Sequence, residues 1–233
     1  MSSLLRTWFL LVILPSPLAA ESGIAEWHFA VLLDGKEIGE HRYSVTTRDG
    51  LIEVQSRAEM RVRFMFFDAY RYQHQATELW QHGCLLRIDA ETDDNNKPLQ
   101  VQGRREDGLF RIAATTVETT ELLDCVKSFA YWDLAILHTD KLLNAQTGEL
   151  TAVTVIPGHQ EMITAAGRQW QAQHYTLSGK NLHIDLWYGP QGEWLRLRSL
   201  LTSGRELDYQ LEKGPGIVHS PQVAVVGHDL ATQ

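Results

Sequence analysis

The sequence predicts an all-β protein: a curved antiparallel sheet closing to an open or complete β-barrel, with one short helical or irregular insertion. Three observations predict it. Apolar side chains recur at every second position in one run after another, the period of a half-buried strand. Turn dipeptides separate the runs, among them Asp34-Gly35, His82-Gly83 and Asp107-Gly108, whose residues tolerate the positive φ that tight hairpins require. The alternation fails in a single aromatic stretch, Thr120 to Leu143. Many short strands, each with one apolar face, must curl into a barrel or pack as a sandwich to bury those faces.

The elements follow in order. Ile24–Leu33 and Lys36–Thr46 flank the first Asp-Gly corner. Leu51–Ala58 alternates weakly. Arg61-Val62-Arg63-Phe64 then runs into Met65-Phe66-Phe67, with Val62, Phe64 and Phe66 on one side and the arginines turned away through a bulge or strand end. Tyr70, Tyr72, His74, Ala76, Glu78 and Trp80 share one face of the next strand, and Arg71, Gln73, Gln75 and Thr77 share the other. Leu86–Ala90, Leu99–Val101 and Leu109–Ala113 continue the meander through polar turns.

Within the insertion Phe129, Trp132 and Ile136 lie three to four apart, the spacing of one helical face, and Ser128 can cap its start. The segment is too aromatic for a linker, so the expectation is a short helix or an irregular plug at one end of the sheet. Strands resume with Leu150–Ile156, Glu161–Ala165, Trp170–Leu177, Leu182–Tyr188, Trp194–Leu200 and Glu206–Leu211.

The start of the chain bears on where it works. Arg6 precedes an apolar run from Trp8 to Leu14, then Pro15, Pro17 and the small residues Ala19 and Ala20. This is the pattern of a secretory signal peptide. The run is shorter than the ~20 residues a membrane helix needs, so no membrane span is expected. The division is therefore 1–20 signal peptide, 21–213 a single antiparallel β domain, and 214–233 a C-terminal extension. About 210 residues suffice for one sizeable core.

The formal net charge of the 233 residues is -8, and the signal peptide holds one arginine and no acid. Such a surface disfavours nucleic acid. The short basic groups Arg61 with Arg63 and Arg104-Arg105 read as solvated strand positions. The two cysteines, Cys84 and Cys125, stand as an even pair in an exported chain, which points to a disulfide. The alternative is two buried free thiols. Their spacing is not that of a thiol-exchange or zinc motif, and no metal or other cofactor is called for.

The residues with chemistry are few. The sequence holds no G-x-S-x-G, H-E-x-x-H, EF-hand, P-loop or dinucleotide fingerprint. His183 and Asp185 share one side of a strand with His174 nearby, and read as a cross-strand polar pair. Glu78 and His74 are polar groups on an otherwise apolar face, so they require buried partners, for which Arg87 or Arg104 are candidates. The aromatics carry the stronger signal, because they either fill a wide core or line a cavity.

Three stretches resemble the DUF6134 family of uncharacterised exported bacterial proteins: Thr77–Leu85 running on to Asp89–Asn95, Phe129–Asp133, and Asp185–Leu197 ending near Asp208-Tyr209. The last also resembles the related family DUF3108. The resemblance implies a curved antiparallel sheet or open barrel, loosely similar to bacterial lipoprotein carriers, and carries no established activity. With the export signal it implies the periplasm.

The expectation is a non-enzymatic periplasmic protein binding an apolar or lipid-like ligand in the concavity of the sheet. Phe64, Phe66, Tyr70, Tyr72, His74, Glu78, Trp80 and Trp132 are the ligand-binding candidates. The alternatives are an envelope protein–protein interaction module, and a hydrolase using Glu78 or Asp185 with His74 or His183.

Overall fold

A computed structural model describes residues 23–64, 67–122 and 125–214. The described residues form fifteen strands: β1 (Gly23–Leu33), β2 (Lys36–Arg48), β3 (Leu51–Phe64), β4 (Phe67–Gln81), β5 (Cys84–Asp94), β6 (Lys97–Glu106), β7 (Leu109–Ala114), β8 (Thr120–Leu122), β9 (Lys141–Leu143), β10 (Leu150–Ala152), β11 (Thr154–Ala165), β12 (Arg168–Gly179), β13 (Leu182–Tyr188), β14 (Trp194–Leu200) and β15 (Glu206–Lys213). Thirteen of them form one antiparallel sheet in the order β11-β12-β13-β14-β15-β1-β2-β3-β4-β5-β6-β7-β8, and β9 pairs with β10 in a small second sheet. Neighbours in the large sheet are almost all neighbours in sequence, joined by two- to five-residue connections. The exception is β1, which pairs with β15 and so brings the two halves of the chain together. Among the described residues β8 and β11 remain unpaired edges. The sheet is thus a curved, open barrel rather than a closed one.

Local chemistry explains the hairpins. At the β1–β2 turn Asp34 and Gly35 both have positive φ, 50° and 78°. Such a turn matches the twist of the flanking strands, and an aspartate followed by glycine is the cheapest way to make it. Gly39 in β2 has a different reason. A Cβ there would lie 1.9 Å from the backbone carbonyl oxygen of Glu59 on β3.

The strand expectations hold with three adjustments. Leu51–Ala58 and Arg61–Phe64 are one continuous strand, β3, with a register shift at Val62/Arg63 in the stretch where a bulge or strand end is expected. Leu150–Ile156 is divided: Leu150–Ala152 joins the small sheet, and Thr154 starts a longer edge strand through Ala165. The described part of the insertion holds a 3-10 helix over Leu134–His138, later and shorter than a helix capped by Ser128. Asp133 is its N-cap, accepting from Ala135 N at 2.9 Å. Ser128 instead bridges to Leu143 in extended conformation. Phe129, Trp132 and Ile136 all reach the same core, but from different backbone: the first two from an irregular path and Ile136 from the 3-10 helix, not from one helical face.

Inward positions pack the hollow of the sheet. Trp80, Trp194, Tyr188, Phe29 and Phe110 are essentially inaccessible. Phe29 and Trp194 lie with ring centroids 4.3 Å apart, and Tyr131 of the insertion stands 5.4 Å from Trp194. A smaller cluster of Val31, Ala58 and Met60 fills the other end. Most of the interior is therefore filled.

The insertion is fastened as a plug. Leu85 N donates to Val126 O at 2.9 Å, Leu143 N to Lys127 O at 2.8 Å, and the Tyr188 hydroxyl to Tyr131 O at 2.8 Å. Cys84 at the start of β5 and Cys125 at the start of the described plug form a disulfide, with Cα atoms 5.0 Å apart, as expected. It staples the plug to the first meander.

Candidate functional site

A cleft of about 370 Å³ remains between the plug and the inward face of β2, β3 and β4. It falls between the two apolar clusters, because the strands place polar residues there. Passing from the main core toward the smaller cluster, β2 presents Val45, Tyr43 and then His41. β3 presents Val54, Ser56 and Ala58, and β4 presents Glu78, Ala76, His74 and Tyr72. The period-two pattern that points these side chains inward is the same one that points the core residues inward.

These groups are satisfied in pairs. His41 Nε2 is hydrogen-bonded to Ser56 Oγ at 2.8 Å, and the ring stacks on Tyr43 at 4.2 Å. His74 Nδ1 is hydrogen-bonded to Thr92 Oγ1 on β5 at 2.8 Å. The Tyr72 hydroxyl donates to Gln146 Oε1 at 3.2 Å, across to the loop after β9. Trp80 Nε1 donates to Glu78 Oε2 at 2.9 Å. Burial pulls His41 down to about 3, with His74 reinforcing it, and burial alone pulls His74 down to about 4. Both imidazoles are neutral at pH 7.

Glu78 differs from the rest. Among the described residues it has no cationic partner, and neither Arg87 nor Arg104 supplies one. Arg87 pairs with Asp89 on the outward face, and Arg104 is exposed. Burial pushes the Glu78 carboxyl up to about 7, against the lowering influence of Ser128 and the Trp80 N–H. The Ser128 hydroxyl sits beside it, almost wholly buried and without a well-formed hydrogen bond of its own. A buried carboxyl and hydroxyl side by side keep acceptor sites open, and so have capacity for a further polar partner.

The walls are aromatic. Tyr43, Tyr72, Phe129, Tyr131 and Trp132 line the cleft, and Trp132 stands edge-on to Trp80 at 5.7 Å. The mouth is formed by Glu149 and the β12–β13 turn, whose Lys180 and Asn181 are exposed.

The structure gathers Tyr72, His74, Glu78 and Trp132 of the sequence-derived candidates around this cleft, with Trp80 buried behind Glu78. Tyr70 lies apart, its hydroxyl donating to Asp94 at 2.7 Å. Phe64 enters only as the last residue of β3, and Phe66 lies outside the described residues. Sequence reasoning missed His41 and Tyr43, although they alternate with Val45 on β2 as the β4 residues do. It also missed Ser128 and Lys180, which no periodicity marks.

Glu78 and His74 are four residues apart on one strand, about 13 Å along it, beyond direct proton exchange. Asp185 does meet histidines: its carboxylate lies 2.9 Å from His174 Nε2 and 3.5 Å from His183 Nε2, and accepts from Thr176 at 2.8 Å. That cluster is on the outward face of β12 and β13, away from the cleft. Among the described residues no group of three or more His, Cys, Asp or Glu can hold a metal ion.

A larger groove, about 890 Å³, crosses the outward face of β1–β6. Its walls are solvated side chains such as Gln55, Arg57, Gln75 and Glu91. It lacks the buried polar groups of the cleft, so the smaller cavity is the better-built site.

No curated protein matches the chain. Among solved structures, the fold resembles the beta-barrel-like protein of domain of unknown function DUF1849 from Brucella abortus, with a TM-score of 0.62 and 14% identity, over 86% of this chain and 100% of that one. That likeness concerns fold alone. The model of the domain of unknown function DUF6134 matches residues 29–212, and the chain belongs to this family.

Proposed function

We propose that this protein is a non-enzymatic binding protein of the periplasm, taking an apolar or lipid-like small molecule with a polar end. The observation that carries the reading is the cleft itself. Its volume of about 370 Å³ lies within the usual range of small-molecule sites. It combines aromatic walls with a few convergent buried polar groups, the usual composition of such sites. The Phe129–Trp132 stretch of the plug forms one wall, and the disulfide holds that plug in place. A disulfide suits an oxidising compartment, in keeping with export by a leader over residues 1–20. Among the described residues no helix is long and apolar enough to cross a membrane.

Displacement of a lipophilic naphthylamine fluorophore tests the proposal. Saturable one-to-one displacement by a twelve-carbon amphiphile, weakened about tenfold by Trp132→Ala, is expected. No saturable binding of any such probe overturns it.

A second reading, docking on another envelope protein, is favoured by one observation. The edge strand β11 presents its unpaired backbone together with Ile156 and Met162, which are 54% and 62% exposed. Edge strands of this kind accept an added strand. Crosslinking in intact cells through a photoreactive residue at Met162 tests it: a discrete heterologous adduct supports docking, and its absence opposes it.

A further inference from the structure

We infer that the cleft selects a ligand whose polar end is a protonated amine, held by Glu78 at the buried end of the cavity. The inference rests on the binding role proposed above and names the chemistry of the ligand.

Glu78 is 7% exposed and its carboxyl opens onto the cleft. The hydrogen bond from Trp80 occupies one of its oxygens. Two carboxylate oxygens offer several acceptor sites, so acceptor capacity remains. The charged form is expensive to bury without a cation, and among the described residues no cation is supplied.

Groups facing Glu78 from the surrounding elements do not change this. His41 on β2 and His74 on β4 are held neutral, and Ser128 on the plug is uncharged. Lys180 and Glu149 stand exposed at the mouth, opposite in sign and open to solvent screening. Among the described residues, the buried end of the cleft thus contains one potential negative charge and no positive one.

The walls suit the same ligand. Tyr72, Phe129, Tyr131 and Trp132 line the cavity. Aromatic faces attract ammonium groups, most strongly where water is excluded, and repel carboxylates. An ammonium at Glu78 also offers a hydrogen bond to the Ser128 hydroxyl oxygen beside it. A fatty acid would place a second carboxyl against Glu78, and a neutral alcohol would leave the carboxylate uncompensated.

The test compares three probes of equal chain length, dodecylammonium, dodecan-1-ol and dodecanoate. Each is used below its micelle concentration, at pH 7.5, on the full protein. Dodecylammonium should displace the naphthylamine fluorophore at a concentration at least tenfold lower than either other probe. Glu78→Gln should remove that preference and leave dodecan-1-ol unaffected.

Calorimetry of the unaltered protein gives an independent readout should the variant fail to fold. At pH 6 the free carboxyl holds a proton, and binding of dodecylammonium should release it into the buffer. Equal affinity for the amine and the alcohol, a preference that survives Glu78→Gln, or binding without proton release overturns the inference and leaves the binding role intact. Failure of all three probes to bind removes the binding role itself, and the inference with it.

Discussion

The indole N–H of Trp80 meets the carboxyl of Glu78 at 2.9 Å, two residues along the same strand, with both side chains buried. Trp80 thereby fixes the buried acid of the cleft while its ring fills the core behind it.

The pH dependence of stability follows from that acid. Burial raises Glu78 from its ordinary value to about 7. Between roughly pH 4.5 and pH 7 the folded protein holds a proton that the unfolded chain has lost, so this group makes stability fall as pH rises. The full effect is about 3 kcal/mol at 1.36 kcal/mol per pKa unit. Glu78→Gln removes it. Urea unfolding at a series of pH values should show the variant gaining on the parent by about that amount between pH 4.5 and pH 7.5, with both curves parallel above pH 8.

The two buried histidines act with the opposite sign. His41 is lowered to about 3 and His74 to about 4. Below about pH 6.5 the unfolded chain takes up protons that the folded one refuses, so stability is lost as pH falls. Each histidine costs about 1.5–2 kcal/mol between pH 6.5 and pH 5. Glu78 offsets about half of the combined loss in the parent. In Glu78→Gln the acid loss should be unmasked, and His74→Asn in that background should halve it. Denaturant midpoints at pH 6.5 and pH 5 measure both steps.

The sheet was legible because its signals are local. Alternation and Asp-Gly corners are read over a few residues, so the hairpins and the inward face of β4 follow from short windows. The open barrel then needs no more than one face per strand to bury. The cleft was half legible for the same reason. Tyr72, His74 and Glu78 share the period of their strand, whereas Ser128 and Lys180 reach the site through an irregular plug and a hairpin tip. The plug itself misled the periodicity, since Phe129 and Trp132 reach the core from irregular backbone while Ile136 reaches it from the short 3-10 helix. The division of Leu150–Ile156 was invisible because it depends on pairing with Lys141–Leu143, a tertiary event. Composition alone pairs the cysteines, and the hydrogen bond from Leu85 N to Val126 O next to them holds the two segments together.

The disulfide sets how the plug loosens. It closes a separation of 41 residues, for which chain entropy implies about 3–4 kcal/mol. Cys84→Ser with Cys125→Ser should still fold, because the Phe29–Trp194 core is untouched, but with stability lower by about 2–4 kcal/mol. Limited proteolysis should cut first within Phe129–Leu143 in the reduced or doubly substituted protein and spare that stretch in the oxidised one. Equal cutting of both forms counts against the plug being held by this bond.

Gly39 tests the register of the first meander. It lies opposite Met60 on β3, and a Cβ would sit 1.9 Å from Glu59 O and 2.8 Å from Met60 Cα. Backbone atoms cannot rotate aside as a side chain does, so the two strands must separate locally to admit even one methyl group. That separation would break ladder hydrogen bonds beside His41, whose bond to Ser56 spans the same pair of strands. Gly39→Ala should therefore cost more than about 2 kcal/mol, the range of a strained backbone position with added packing loss. Gly50 is the control, at the β2–β3 turn, where a Cβ meets nothing within 4 Å. Its left-handed φ of 76° makes alanine cost about 1 kcal/mol there through conformation alone. Urea midpoints of the two variants, measured side by side, should differ accordingly. Equal midpoints would mean that β2 and β3 pair less closely at Gly39 than the structure requires.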